Sequence, residues 1–100
     1  MSTIIVTGAG SGIGRATARL FLAKGWRVAL LGRRAEALDD SAEGHENALA
    51  LPCDVTDEAA VDTAFDTVMQ HWGRIDVLFN NAGRNLGADT PDLIAPDDFR

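Results

Sequence analysis

The sequence predicts an α/β fold: a doubly wound parallel sheet built as βαβαβαβ, with a further helix beginning at the end. Three observations point there. Four short apolar runs, at residues 3–6, 27–31, 48–53 and 76–80, alternate with longer segments of helical periodicity. The runs are nearly continuous in apolar residues rather than alternating, as strands covered on both faces are. Glycines at 25, 32 and 73 close elements where a chain must turn. Right-handed crossovers between such strands make the order 3-2-1-4.

Taken in order, Thr3-Ile4-Ile5-Val6 reads as the first strand. The first helix spans about 12–24. Its apolar positions Ile13, Ala16, Thr17, Leu20 and Phe21 fall at i, i+3, i+4, i+7 and i+8, one helix face, and Gly25 ends it. Arg27-Val28-Ala29-Leu30-Leu31 is the second strand, stopped by Gly32. A short helix covers about 34–42, and Gly44-His45-Glu46-Asn47 is a polar loop. The third strand holds Pro52 near its end. Thr56 or Asp57 caps the third helix, which runs to Trp72 with Val61, Ala64, Phe65, Val68, Met69 and Trp72 on one face. Asp76-Val77-Leu78-Phe79-Asn80 is the fourth strand, followed by a Gly-, Asn- and Asp-rich loop to about 95. Pro96-Asp97-Asp98 suits the first turn of another helix, within which the hundred residues stop. The fourth strand is therefore expected to carry an apolar edge without a partner, leaving the chain alone marginal or associating through that edge.

Composition narrows the functions. Of 100 residues 46% are apolar and 24% charged, ordinary for one folded domain or part of one. A net charge of −6 opposes nucleic acid or an anionic membrane as partner, since both call for a basic face. The single cysteine allows no internal disulfide. No run approaches the ~18 apolar residues of a membrane span, and no leader pattern precedes the first strand, so the expected compartment is the cytoplasm. No His, Cys or carboxylate cluster has metal-ligand spacing. His45 and His71 read as solvated, and Cys53 as inert packing.

The chemistry concentrates in Thr7-Gly8-Ala9-Gly10-Ser11-Gly12-Ile13-Gly14. A strand turning through glycines into a helix makes an anion site, because the first helical N–H groups have no internal partner and the macrodipole adds positive charge. Neither G-x-G-x-x-G nor G-x-x-x-x-G-K-[ST] fits any register; T-G-x-x-x-G-x-G does. Two further motifs follow in order: Cys53-Asp54-Val55-Thr56-Asp57 after the third strand, and Asn80-Asn81-Ala82-Gly83 after the fourth.

Together these three motifs resemble the short-chain dehydrogenase/reductase family over the whole hundred residues. The resemblance implies a Rossmann-type NAD(P)-binding domain, of which residues 1–100 would be the N-terminal part. It also implies roles. Gly8, Gly12 and Gly14 would allow the tight turn, the close approach of pyrophosphate and helix–strand packing. Ser11 and the N–H of Ile13 would face the pyrophosphate. Asp54 would accept from the adenine amino group, with Val55 beside the ring; the other reading of Asp54 is a helix cap, a place Asp57 can fill. Asn80 would stabilise the sheet, while Asn81, Ala82 and Gly83 would line the cofactor ribose. Arg84 and Asn85 could approach substrate.

The end of the second strand would choose the cofactor. An acid there selects NAD, but Gly32 leaves room and Arg33-Arg34 follow. A guanidinium holds a 2′-phosphate in bidentate fashion, so NADP is expected, with NAD the alternative. The alternative reading of both arginines, Arg34 above all, is the start of a solvated helix. Ser11 departs from the basic residue many NADP-preferring relatives carry there.

The family's reaction uses a tyrosine with a lysine four residues on, a serine and an asparagine. The hundred residues contain no tyrosine, and their one lysine, Lys24, ends the first helix. No catalytic residue is carried onto the sequence. It reads as the cofactor-binding part of an oxidoreductase that reduces small carbonyls or oxidises alcohols; a non-catalytic dinucleotide-binding module or regulator is the alternative. The family is usually homo-oligomeric, through helices absent from these residues.

Overall fold

The computed structural model describes residues 1–81 and the backbone of residues 92–94. Its elements are β1 (Thr3–Thr7), α1 (Gly12–Ala23), β2 (Arg27–Gly32), α2 (Ala35–Ala42), β3 (Ala48–Pro52), α3 (Glu58–Trp72), β4 (Val77–Asn80) and β5 (Asp92–Ile94). The sheet order is β3-β2-β1-β4-β5. The four expected strands are parallel in the order 3-2-1-4, and their boundaries lie within a residue or so of the predicted ones. β5 was not expected: a segment read as loop pairs antiparallel with β4, matching Leu78 to Ile94. The outer edge of β4 is thus covered by backbone hydrogen bonds, which corrects the expectation of an unpartnered edge. The predicted helix at 96–100 lies outside the described residues.

The sheet separates two apolar layers. Ile4, Val6, Val28 and Leu30 point to one face, where Ala18 and Leu22 of α1 and Leu38 and Ala42 of α2 cover them. Ile5, Ala29, Leu31 and Leu78 point to the other, against Ala64, Phe65 and Val68 of α3. Strand residues alternate between faces, so each strand feeds both layers and must be apolar throughout.

The α1 face differs from the predicted one. Gly14, Ala18 and Leu22 are buried, whereas Ile13 and Leu20 are exposed. The start of the helix lies close against the turn, where Gly14 leaves no room for a side chain, and Leu22 reaches the core from the far end of the same face. On α3, Ala64, Phe65 and Val68 are buried as predicted, but Met69 is exposed. Asp57 caps α3, its carboxylate accepting from the N–H of Ala59 and Ala60, and Gly73 ends it in the left-handed conformation at φ 80°.

At the amino ends of the strands, Asp76 locks β4 to β1. Its carboxylate accepts from Thr3 N at 2.7 Å and from Arg74 Nε at 2.9 Å. The Arg74 guanidinium holds the Asp76 carboxyl below the usual carboxylate range, and the Thr3 N–H adds to this. Among the described residues no helix is long and apolar enough to cross a membrane.

Candidate functional site

At the carboxyl ends of the strands the chain reverses its direction of winding. β2 and β3 lie on one side of β1, and β4 lies on the other. Thr7 sits opposite Asn80 in that register, so the glycine turn after β1 and the segment after β4 meet at the switch point where open α/β sheets bind ligands. Asn80 Oδ1 accepts from Thr7 Oγ1 at 3.1 Å, tying the two strand ends together. Asn81 reaches further, its Nδ2 donating to Gly8 O at 3.3 Å. Ala82, Gly83, Arg84 and Asn85 lie outside the described residues.

The turn depends on its glycines for two different reasons. Gly8 and Gly12 have φ of 64° and 58°, the left-handed region. Gly14 is required by packing: a Cβ there would lie 2.0 Å from Gly8 O and 2.9 Å from Asn81 Nδ2. Ser11 is the residue before α1, with extended backbone, and its side chain makes no capping hydrogen bond. The first turn of α1 carries no acidic residue. The first helical N–H to find a helical acceptor is that of Arg15, bonded to Ser11 O. The amides of Gly12, Ile13 and Gly14 thus have the helix-terminal geometry that accepts an anion.

Beside the turn two cavities adjoin. One, of about 350 Å³, is lined by Gly8, Gly10, Ser11, Arg33, Arg34 and Ala37 among others. The second, of about 240 Å³, is lined by Gly8, Gly32, Arg33, Cys53, Asp54, Val55 and Thr56. Both share Gly8, Gly32 and Arg33, so Arg33 stands between them. The structure thereby brings six of the predicted residues, Gly8, Ser11, Arg33, Arg34, Asp54 and Val55, to one continuous surface. Gly12 and Ile13 sit at the helix start next to it. Gly14 is buried behind it.

Arg33 and Asp54 face each other at the smaller cavity, Nη2 to Oδ1 at 3.7 Å, with Arg33 exposed and Asp54 about half-buried. Asp54 Oδ1 also accepts from Thr56 Oγ1 at 2.6 Å and Thr56 N at 2.9 Å. These Thr56 hydrogen bonds, and then the Arg33 charge, hold the Asp54 carboxyl below its ordinary range. Asp54 is an ionised acceptor at neutral pH, and Asp57 serves as the α3 cap. Cys53 is half-buried, and burial pushes its thiol up, with the charges of Asp54 and Asp57 adding to the shift. It lines the smaller cavity, and a raised thiol pKa lowers its thiolate fraction. Among the described residues no group of three or more His, Cys, Asp or Glu could hold a metal.

A dinucleotide suits this surface on three counts. The uncapped α1 amides match a pyrophosphate, Gly32 lines both cavities without a side chain of its own, and Arg33 and Arg34 offer guanidinium donors to a phosphate.

Sequence reasoning missed Arg15 and Ser41. Ser41 is fully buried, and its hydroxyl donates to Ala9 O at 2.6 Å. Arg15 donates from Nη2 to Gly10 O at 2.7 Å and from Nε to Ser41 Oγ at 2.9 Å. The one available signal was a serine in the last turn of a short helix, where its hydroxyl can bond back to a carbonyl.

Comparison with known proteins places this geometry. The chain matches the short chain dehydrogenase family over residues 2–99. It is 41% identical over 99 residues to serine 3-dehydrogenase of Agrobacterium fabrum, covering 98% of this chain and 40% of that protein. Among solved structures it superposes on a 3-ketoacyl-(acyl-carrier-protein) reductase from Brucella melitensis complexed with NADH, with a TM-score of 0.78 and 36% identity over 82% of this chain and 34% of that one. L-sorbose reductase from Gluconobacter frateurii, complexed with NADPH and L-sorbose, gives a TM-score of 0.76 and 29% identity, covering 87% of this chain and 35% of that one. The chain spans about 33–40% of the length of the curated relatives it matches.

Proposed function

The chain belongs to the short-chain dehydrogenase/reductase family, and from that premise we propose that residues 1–100 form the dinucleotide-binding part of an oxidoreductase that prefers NADP(H). Its whole-protein reaction is carbonyl reduction or alcohol oxidation on a small molecule. The observation that carries the cofactor choice is Arg33, standing at the wall common to both cavities beside a Gly32 with no side chain to block it. An acid in place of Gly32 would bind a ribose 2′-hydroxyl; the arginine is suited to a 2′-phosphate.

The remaining residues take roles on that surface. The amides of Gly12 and Ile13, with the Ser11 hydroxyl, hold the pyrophosphate. Arg34 supports Arg33. Asp54 accepts from the adenine amino group, and Val55 packs beside the ring. Asn81, with Ala82 and Gly83, lines the ribose. When bound, the nicotinamide supplies or takes a hydride. The residues of this chain bind and orient it, and with no tyrosine among them we assign them no catalytic acid.

Calorimetric titration of NADPH and NADH tests the reading. A hydrogen bond to a charged group contributes about 1.5–3 kcal/mol, and about 1.4 kcal/mol is tenfold in affinity. Arg33 is 72% exposed, so solvent screening places its contribution at the lower end of that range. Wild type should prefer NADPH by about tenfold, and Arg33→Ala should abolish the preference while leaving NADH nearly unchanged. A wild type that prefers NADH, or an Arg33→Ala variant that weakens both cofactors equally, would overturn the NADP assignment.

A further inference from the structure

We propose that Arg15 and Ser41 are positioning residues that orient the glycine turn toward the pyrophosphate; this rests on the dinucleotide reading above. A turn binds an anion only if its N–H groups face the ligand, and its carbonyls must then be held elsewhere. Two consecutive carbonyls of the turn each have a side-chain donor. Ala9 O accepts from Ser41 Oγ at 2.6 Å, and Gly10 O accepts from Arg15 Nη2 at 2.7 Å. The two donors are joined, since Arg15 Nε donates to Ser41 Oγ at 2.9 Å. A serine hydroxyl has one hydrogen to give. Arg15 fills an acceptor site of that oxygen, and its hydrogen goes to Ala9 O, the nearer of two carbonyls; Ala37 O lies at 3.1 Å. Arg15 Nη2 is shared with Ala37 O at 3.3 Å, which anchors the clamp on α2.

Neither residue lines either cavity, so their effect passes through the turn. Packing leaves the turn little slack on this side, since a Cβ on Gly10 would meet Ala37 Cβ at 3.0 Å. Arg19, one helical turn beyond Arg15, makes an instructive contrast. It donates to Asp40 O at 2.8 Å and to the backbone Ser41 O at 3.4 Å and pairs with Glu43 at 3.5 Å, holding the end of α2 with no bond to the Ser41 hydroxyl or to the turn. Arg19 serves α2; Arg15 and Ser41 serve the turn.

The test uses the full chain, at a temperature where circular dichroism shows each variant folded. NADPH, NADH and 2′-AMP are titrated by calorimetry into wild type, Ser41→Ala, Arg15→Lys and Arg19→Ala. Ser41→Ala and Arg15→Lys should weaken NADPH and NADH by one common factor of about 5- to 30-fold, the loss expected when a buried carbonyl is left without its donor and can swing toward the anion. 2′-AMP has no pyrophosphate and should bind all four alike. Arg19→Ala should lower the melting temperature and leave both dinucleotides unchanged. Arg15→Lys keeps the charge and loses the fork. Lysine binding as wild type would mean that charge alone acts, and would overturn the proposal. So would Ser41→Ala with a lowered melting temperature and wild-type affinity, which is a purely structural role. If Ser41→Ala does not fold, Arg15→Lys decides. A wild type that binds no dinucleotide refutes the functional reading itself; wild-type binding with unaltered variants refutes the clamp alone.

Discussion

Gly14→Ala sets two magnitudes against each other. Alanine is favoured over glycine within a helix by about 0.8–1.0 kcal/mol, so propensity alone predicts a more stable protein. The structure predicts the reverse. The new Cβ would lie 2.0 Å from Gly8 O, a backbone atom, and 2.9 Å from Asn81 Nδ2. Relief requires α1 or the turn to move by about an ångström, and overpacking of this kind costs about 1–3 kcal/mol. The Asn81–Gly8 hydrogen bond is lost with the movement, a further ~0.5–1.5 kcal/mol. Net of the helical gain, destabilisation of about 0.5–3.7 kcal/mol remains. For a domain of this size each kcal/mol is about 4–8 °C, so the melting temperature should fall, by roughly 2–30 °C. Thermal unfolding followed by far-UV circular dichroism measures it. Gly12→Ala is the comparison: nothing lies within 4 Å of its Cβ, and its cost is only the left-handed φ of 58°, about 1–2 kcal/mol. A Gly14→Ala variant that melts at or above wild type would refute the packing argument.

Two other substitutions follow from the same structure. Gly32→Asp should reverse cofactor choice by tenfold or more in paired calorimetric titrations, because a carboxylate beside Arg33 repels the 2′-phosphate and accepts from a ribose hydroxyl. Its Cβ would meet Leu38 Cδ2 at 3.1 Å and Ala9 N at 4.0 Å, so Leu38 must give by a few tenths of an ångström, and circular dichroism should confirm the fold before titration. Asp76→Ala should cost about 1.5–3 kcal/mol in urea denaturation near neutral pH, the worth of charged hydrogen bonds to Thr3 N and Arg74. The folded carboxyl titrates below its unfolded value, so its contribution is complete above the ordinary carboxylate range. The gap between wild type and variant should therefore hold at pH 5 and above, and narrow as pH falls through the depressed folded value. A constant gap down to strongly acid pH would show that the charge contributes nothing.

Element order and strand order were legible because buried parallel strands and their glycine stops leave local traces. A cap at Thr56 or Asp57 and the Gly73 stop were legible from local residue type, and the structure selects Asp57. The face of α1 was not. Apolar periodicity weights Ile13 and Leu20, but the face that meets the sheet uses Gly14 and Ala18, whose smallness is the point and whose hydropathy is weak. β5 is three residues long, too short for any period to register. The candidate site divides likewise. The glycine turn, Arg33-Arg34 and Asp54-Val55 stand in short contiguous motifs, and the fold brings these segments to one surface. Arg15 and Ser41 are 26 positions apart on different helices, and their meeting depends on how α1 and α2 pack. No local pattern encodes it.

The central claim is that the dinucleotide lies across the carboxyl ends of β1, β2 and β3, and backbone amide NMR during titration with NADP+ tests it most directly. Shifts should concentrate at Gly8 to Gly14, at Gly32 to Arg34, and at Asp54 and Val55, with the largest at Gly12 and Ile13, where the pyrophosphate would meet uncapped amides. Glu43 to Asn47 and the end of α3 near Trp72 should not move. Shifts confined to those distant segments, or none at saturating NADP+, would contradict the account.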